Sequence, residues 1–273
     1  MKAVTIKTAK PKIYFPYKNF ARKKYWFYRV FFYLGFYTLL LCSTGLVLRT
    51  ICDHVYTVNI PHRTGDHSLL KLKPGLAVIP IVDFKSKLIH FNPSVDQTFR
   101  PYQDAITAFT RTYDRTTVHE NALIDCQNKT RPHDDLTVSC YYDLDWSGDC
   151  NMFYGYGYSS GTPCIVVKMN KVYGWMPDLD ANEEGIRVWC EGTTPFDSSL
   201  IRKIRYFDYR GRDYLNYGII PHFYFPYLAQ ENYQSPLVFI MLHYPKKHIV
   251  IRMTCHATAK NLKSSTNFEL FLE

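Results

Sequence analysis

The amino-acid sequence predicts a single N-terminal transmembrane helix followed by a mainly-β ectodomain, an immunoglobulin-like antiparallel β-sandwich with one helix and three disulfides. Three observations lead to this fold class. Residues 30–48 carry no charge, hydrophobic residues alternate with polar ones in several segments after residue 135, and six cysteines lie beyond the uncharged stretch. A long apolar stretch is typical of a membrane span, and alternation with a period of two is typical of half-buried strands.

The uncharged stretch 30–48 is long enough to cross a bilayer as a helix. Its residues span about 28 Å at ~1.5 Å per residue, close to the ~30 Å hydrocarbon core. Residues 1–29 contain nine lysines and arginines and no acid, and such an excess marks the cytoplasmic side. The sequence therefore predicts an uncleaved, type II signal anchor with its C-terminus outside. A buried core helix and a cleaved signal peptide are the alternatives.

The net charge of +9 belongs to the anchor and not to the ectodomain. Residues 1–52 hold ten of the 33 lysines and arginines and none of the 24 acids, which leaves 23 basic residues against 24 acidic ones in the rest. A nearly neutral ectodomain argues against nucleic-acid binding, whereas the basic tail favours an anionic inner leaflet. The many aromatic residues, 23 Tyr and 18 Phe, favour a surface that contacts protein.

The chain divides into four segments by composition and period: a cytoplasmic basic tail, a transmembrane helix, an extracellular stalk and the β-sandwich, at 1–29, 30–50, 51–98 and 99–273. The stalk is predicted from its prolines, which are typical of extended loops. The one soluble helix is predicted from the helical spacing of Tyr102, Ile106, Phe109 and Tyr113, with Pro101 at its first position.

Strands are predicted from period-two alternation after residue 135. The first prediction covers 136–144, where Leu136, Val138, Cys140, Tyr142 and Leu144 alternate with other residues. Further strands are predicted at 164–173, 186–190, 201–209, 237–244, 249–257 and 267–272. Many strands with one helix indicate an antiparallel sandwich.

Six cysteines follow the anchor in the part of the chain predicted to be external: Cys126, Cys140, Cys150, Cys164, Cys190 and Cys255. An even number in an oxidising compartment indicates three disulfides, for which the spacing alone leaves fifteen pairings open. Zinc binding is the competing interpretation, but no C-x-x-C occurs and the histidines are scattered. A sequon at Asn128 predicts an N-glycan, in agreement with an external location.

Several short motifs resemble catalytic or metal sites, but none has the context that the chemistry needs. Residues 157–161 fit G-x-S-x-G, yet the next segment is predicted to be a strand where a nucleophile elbow needs a helix. Residues 178–189 begin like a calcium loop without its glycine and final glutamate. Two D-x-D motifs lack an α/β nucleotide-binding pattern. The sequence predicts no catalytic residue, no cofactor and no metal ligand, although a hydrolase, a calcium site and a glycosyltransferase are alternatives.

Four stretches carry a resemblance to a known family. They are Phe32-Tyr33-x-x-Phe36-Tyr37, Pro74-Gly75-Leu76, the segment 146–175 with Tyr156-Gly157-Tyr158-x-x-Gly161-x-Pro163-Cys164, and Tyr224-Phe225-Pro226-Tyr227 with Tyr233-x-x-Pro236-Leu237. In these stretches the chain resembles the β subunits of the Na,K-ATPases and H,K-ATPases, most closely the Na,K type. The resemblance extends from the membrane helix to the C-terminus. It departs at residues 228–230, where Leu-Ala-Gln replaces the family's usual Tyr-Gly-Lys.

The resemblance implies a non-catalytic subunit with a defined partner. It implies pairing with the catalytic α subunit of a P-type ATPase in the plasma membrane, passage through the endoplasmic reticulum, and roles in α folding, α export and potassium affinity. It further implies a lipid bilayer and a small single-span regulatory subunit as neighbours. A type II adhesion or junctional glycoprotein is the alternative function.

Two sets of site residues also follow from the resemblance. The implied disulfides join Cys126 with Cys140, Cys150 with Cys164, and Cys190 with Cys255. The implied contact residues for the α subunit are Tyr33, Phe36, Tyr37, Tyr224, Pro226, Tyr227, Tyr233 and Pro236.

The charge asymmetry generates a topological prediction. Protease added outside intact cells should digest the C-terminal domain and spare the N-terminal tail, because the positive charges that precede the helix hold that tail in the cytoplasm. Immunoblotting with antibodies to each end measures the outcome. An N-terminal epitope that reacts on intact cells would contradict the predicted orientation.

Overall fold

A computed structural model describes residues 17–56, 73–83, 86–114, 123–127, 138–211, 213–230 and 232–273, with side chains of the first helix described over 24–53. The chain divides into two units, residues 1–59 and 60–273. The predicted fold class is confirmed: one apolar N-terminal helix, a mainly-β ectodomain and three disulfides. The sequon at Asn128 and the tail before residue 17 lie outside the described residues.

Helix α1 (Tyr17–Tyr56) has 40 residues and is longer than the predicted span 30–50. At ~1.5 Å per residue it extends for about 60 Å, roughly twice the hydrocarbon thickness. Of the helices in the described residues, it alone is long and apolar enough to cross a membrane, over Lys24–Asp53. Its hydroxyl side chains bond back to the helix backbone, as Thr38 does to the Leu34 carbonyl and Thr44 to the Leu40 carbonyl, at 2.9 and 2.8 Å. Such bonds satisfy polar groups without water.

The ectodomain contains two five-stranded sheets. The first has the order β1 (Leu76–Ile79), β5 (Cys164–Met169), β10 (Leu237–His243), β7 (Lys203–Phe207) and β8 (Asp213–Tyr214). The second has the order β2 (Leu88–Phe91), β12 (Leu262–Leu272), β11 (Val250–Ala259), β6 (Gly185–Gly192) and β9 (Gly218–Pro221). A two-stranded piece pairs β3 (Leu123–Ile124) with β4 (Ser139–Cys140), and a short helix α3 (Pro195–Ser199) follows β6.

One hydrophobic core takes buried side chains from both sheets. Tyr206 of β7 connects them, because its hydroxyl accepts a hydrogen bond from the Cys190 amide at 2.9 Å and donates to the Cys190 carbonyl at 3.2 Å. The alternation read from the sequence matches burial on β11, where Ile251, Met253 and Cys255 are buried. The sheets are not wholly antiparallel, since β2 pairs with β12 and β3 with β4 in parallel.

Three details of the predicted elements are wrong. The stalk prediction fails for residues 76–91, because β1 and β2 pair with β5 and β12 as edge strands of the two sheets. Edge strands are short and tolerate neighbouring prolines. Strands β1 and β2 could therefore not be recognised in a segment that its prolines marked as a loop. The remainder of that segment, 57–72, lies outside the described residues.

The predicted strand 136–144 is reduced to Ser139–Cys140, and Leu144–Ser147 forms a 3-10 turn. Tyr142 is buried in the core although it lies outside any strand, so its place in the alternation reflects burial without strand pairing. Residues 135–137 lie outside the part of the chain that the structure describes.

Helix α2 (Asp96–Thr110) begins five residues before Pro101, which was predicted to be its first residue. The turn before the helix is closed by polar side chains, since the Asn92 amide donates to the Thr98 hydroxyl at 2.9 Å. Pro101 therefore lies inside the helix, where it lacks a backbone donor. The inner face of α2 buries Phe99 and Ile106, and Tyr102 stacks on Tyr158 with ring centroids 5.9 Å apart.

Aromatic side chains form a cluster around Tyr142, which we call the aromatic core cluster: the buried Tyr113, Tyr142 and Tyr224 and the partly buried Trp146. The ring of Tyr142 lies 5.7, 5.1 and 6.3 Å from the other three. The Tyr224 hydroxyl donates to the Tyr141 carbonyl at 2.7 Å. Burial raises the pKa of Tyr142 and of Tyr224 well above the usual 10, so both hydroxyls keep their protons.

Three disulfides join Cys126 with Cys140, Cys150 with Cys164, and Cys190 with Cys255, which are the pairs that the resemblance implied. The first two close short loops with a sequence separation of 14, whereas the third links β6 to β11 across a separation of 65. Cys42 and Cys52 on α1 are free.

The loop lengths predict different costs for losing a disulfide. Loop-closure entropy makes the Cys190 to Cys255 bridge about 1.3 kcal/mol more stabilising than the Cys126 to Cys140 bridge. Cys255→Ser should therefore be retained in the endoplasmic reticulum more than Cys126→Ser, as measured by glycosidase sensitivity and surface biotinylation. Equal export of the two variants would contradict this ranking, as would peptide mapping that linked Cys190 to Cys164.

The aromatic core cluster predicts opposite outcomes for two similar substitutions. Tyr224→Phe should lower the free energy of unfolding by about 1–2 kcal/mol, because a buried hydrogen bond is lost. Tyr142→Phe should change it little or raise it, since the Tyr142 hydroxyl has no hydrogen-bond partner among the described residues. Thermal unfolding of the full chain in detergent measures both. A Tyr142→Phe loss as large as that of Tyr224→Phe would contradict this account.

Candidate functional site

The first candidate surface is one face of α1, which we call the tyrosine face: Tyr33 and Tyr37. Four residues of separation place the two rings on the same side of a helix. The rings are stacked with centroids 6.4 Å apart and are 56% and 58% exposed. Phe36 lies beside them, 5.5 Å from the Tyr37 ring. In the described part of the chain neither phenol hydroxyl has a hydrogen-bond partner, unlike the hydroxyls of Thr38 and Thr44.

The second candidate surface joins two segments that are distant in the sequence. Residues 171–175 lie against residues 224–227 through a hydrogen bond from the Gly174 amide to the Tyr227 carbonyl at 2.8 Å. The positive φ of Gly174, 69°, turns the chain at this contact. Ring pairs continue the contact on both sides of it: Trp175 with Phe225 at 5.3 Å, Tyr173 with Tyr227 at 6.5 Å, and Tyr227 with Tyr233 at 4.8 Å. We call these five rings the aromatic platform.

The structure separates the contact residues that the resemblance implied. In the ectodomain, Tyr224, Pro226, Tyr233 and Pro236 are buried within the subunit itself. These four side chains pack inside the subunit, and their contact with the α subunit stays a prediction. Tyr227 is half-buried and is the implied ectodomain contact whose ring has an accessible side.

The departure from the family at residues 228–230 has a local structural account. Ala229 has a positive φ of 59°, a conformation that glycine adopts without strain. Gln230 is buried and closes the turn, because its side-chain oxygen accepts from the Leu228 amide at 2.9 Å and its amide nitrogen donates to the Pro226 carbonyl at 3.1 Å. The aromatic segment therefore keeps a defined conformation without the usual Gly-Lys.

Sequence reasoning assigned no role to two lysines beside the aromatic platform. The Lys171 ammonium lies 5.5 and 5.3 Å from the ring centroids of Tyr227 and Tyr233, and it donates to the Tyr233 carbonyl at 3.3 Å. The Lys168 ammonium lies 5.2 Å from the Phe109 ring. Both lysines lie in the segment 146–175, which carries the most specific part of the family resemblance. The sequence does not show, however, which aromatic rings pack against a lysine.

The catalytic-looking motifs have structural explanations. Residues 157–161 lead into strand β5, so they lack the strand, turn and helix order of a nucleophile elbow. Asp143 accepts a hydrogen bond from the Asp145 amide and caps a 3-10 turn, and Asp180 pairs with Lys260 at 2.7 Å. Among the residues that the structure describes, no group of three or more His, Cys, Asp or Glu is placed to hold a metal.

Comparison with known proteins agrees with the motifs. A family model described as "Sodium / potassium ATPase beta chain" matches residues 18–272. The sodium/potassium-transporting ATPase subunit beta-2 of Drosophila melanogaster is 27% identical over 264 residues, covering 85% of this chain and 78% of that protein. A probable subunit beta-3 of Caenorhabditis briggsae is 27% identical over 269 residues, covering 89% and 78%.

A further relative belongs to a different pump. The potassium-transporting ATPase subunit beta of Oryctolagus cuniculus is 26% identical over 227 residues, covering 78% of this chain and 72% of that protein. The family match includes both the apolar helix α1 and the disulfide-bonded ectodomain. The chain therefore belongs to the family of sodium/potassium ATPase beta chains, accessory subunits of ion-pumping membrane ATPases.

Proposed function

We propose that this chain is the non-catalytic β subunit of a plasma-membrane Na⁺/K⁺-transporting ATPase. The observation that carries the proposal is the family match over residues 18–272, which extends through both candidate surfaces. The partner is the catalytic α subunit, which carries the phosphoryl-transfer chemistry. The relatives described above are named as subunits of transport ATPases, and no observation favours the adhesion alternative.

In the membrane, α1 supplies contacts for the α subunit through the tyrosine face. Helix association in lipid depends on close packing and interhelical hydrogen bonds, because lipid tails remove the hydrophobic drive. A phenol hydroxyl without a partner is costly in hydrocarbon, so Tyr37, which lies deeper than Tyr33, favours a neighbouring helix that accepts its hydrogen bond. By covering part of the lipid-facing surface of α, the β subunit stabilises the folded α subunit and supports its export.

Outside the membrane, the ectodomain covers extracellular loops of the α subunit. The aromatic platform supplies the contact through Tyr227, whose position is fixed by the neighbouring rings of Tyr173 and Tyr233. A ligand or subunit shifts a conformational equilibrium only by binding one state better than the other. We infer that the ectodomain contacts the potassium-occluding conformations of α differently from the others and thereby changes potassium affinity.

Recovery of the partner tests the proposal directly. Full-length chain carrying an affinity tag, purified from cell membranes in mild detergent, should recover a multi-span ATPase chain that forms a phosphorylated intermediate. Co-expression should also raise the amount of α at the cell surface. Recovery of the tagged chain without any ATPase chain, under conditions that keep a known pump complex intact, would contradict the proposed function.

The tyrosine face generates a prediction about pump kinetics. Tyr33→Phe and Tyr37→Phe should each weaken α–β packing by about 1 kcal/mol, as for other interhelical hydrogen bonds, and should shift potassium activation of ATPase activity. Tyr28→Phe, which removes a hydroxyl at the basic end of the same helix, is the matched control. If Tyr37→Phe and Tyr37→Ala both leave potassium activation and detergent stability unchanged, α1 serves only as an anchor.

A further inference from the structure

Two lysines and three aromatic rings form a surface that we call the lysine–aromatic patch: Lys168, Lys171, Phe109, Tyr227 and Tyr233. Lys168 lies on β5, and Lys171 follows just after that strand ends. Each ammonium lies over at least one ring, at centroid distances of 5.2 to 5.5 Å. Rings at this distance attract a cation through their negative faces and also remove part of its water.

Neither lysine of the patch has an acidic partner. In the described part of the chain, no carboxylate lies within ion-pair distance of Lys168 or Lys171. Burial lowers the pKa of both ammonium groups, and the charge of Lys168 lowers that of Lys171 further. Partial removal from water disfavours the charged form, and a nearby like charge does so again. Among the residues that the structure describes, the patch therefore holds two neighbouring positive charges that no carboxylate pairs.

Two arginines of the ectodomain, both largely shielded from water, do have carboxylate partners. Arg205 bonds to Asp149 at 2.6 Å and to Asp213 at 2.8 Å, and Arg210 bonds to the buried Asp208 at 2.5 Å. The guanidinium groups that lie against aromatic rings in those places also have carboxylates. Arg202 lies over the Tyr244 ring without a carboxylate among the described residues, but as a single cation. The lysine–aromatic patch differs from it because it brings two ammonium groups close enough to influence each other, and because it adjoins the half-buried Tyr227.

We propose that the lysine–aromatic patch binds a carboxylate presented by an extracellular loop of the α subunit, with Lys171 as the ion-pair donor and Lys168 reinforcing the positive potential. This inference rests on the proposed function and specifies the chemistry of the partner segment at the same surface. One Lys171 N–H is held by the Tyr233 carbonyl, and the ammonium has three donors, so two are available to a carboxylate. The rings of Tyr227 and Tyr233 position the ammonium and exclude water around the pair.

Charge variants of the full chain, co-expressed with the α subunit, test the proposal. Lys171→Glu should reduce the amount of α recovered per β about tenfold in low salt, because it replaces attraction with repulsion. Lys171→Met keeps the packing against the rings, so it should cause a smaller loss and remove the salt dependence of association. Lys263→Glu, at an exposed lysine on β12 of the other sheet, is the matched control and should recover α like the wild type.

A compensating change identifies the partner group. Single replacements of Asp or Glu by Lys in the extracellular loops of α should include one that restores association with Lys171→Glu and weakens association with the wild-type chain. Thermal unfolding midpoints of the isolated variants separate loss of contact from misfolding. If Lys171→Glu misfolds, Lys171→Met decides: association as salt-dependent as that of the wild type would overturn the proposal.

The outcomes distinguish this inference from the proposed function. If wild-type chain recovers α and folded Lys171→Glu recovers it equally well, the carboxylate contact is overturned while the subunit function stands. If Lys171→Glu instead loses binding to vesicles of phosphatidylserine and phosphatidylcholine with α recovery unchanged, the patch binds a lipid headgroup and the proposal is likewise overturned. If wild-type chain recovers no α, the proposed function fails and the inference fails with it.

Discussion

The ectodomain depends on the packing of Tyr142 against its aromatic neighbours, because this contact connects segments that no sheet joins. Gln234 is buried beside it, accepts a hydrogen bond from the Tyr142 amide at 2.7 Å and donates to the Tyr113 carbonyl at 3.3 Å. The same cluster holds Tyr224, which begins the segment leading to Tyr227. A rigid core below a partly exposed ring reduces the conformational entropy that binding would cost. Burial of these tyrosines is thus what gives the candidate surface a fixed shape.

Charge in this molecule is divided by location. The basic residues of the anchor are unbalanced, whereas the ectodomain is nearly neutral and pairs its shielded arginines with aspartates. Lys168 and Lys171 differ from those arginines, because rings lie over them and no acid among the described residues pairs with them. A partner that supplies a negative charge is therefore favoured at this position over the rest of a neutral surface.

The functional expectations had unequal support from sequence and structure. The resemblance predicted the family, and the comparisons confirm it over residues 18–272. Of the ectodomain contact residues that it implied, some are buried and one is partly exposed. A sequence motif shows which residues occur together, but it does not show which side chains face the solvent. Tyr224 and Tyr227 are three positions apart in the sequence, yet Tyr224 is buried and Tyr227 is half-exposed. Local spacing could not distinguish them, since the loop that holds them has no regular period.

The sequence by itself determined what depends on local chemistry: an apolar helix long enough for a bilayer, six cysteines that form three disulfides, and strands such as β11 whose alternation matches a one-sided burial. The tertiary structure alone decided which segments meet. Strands β1 and β2 exist because distant strands offer them hydrogen bonds, whereas in the described part of 136–144 only Ser139–Cys140 finds a partner strand. Lys171 acquires its aromatic neighbours in the same way, because long-range packing brings Tyr227 and Tyr233 to it.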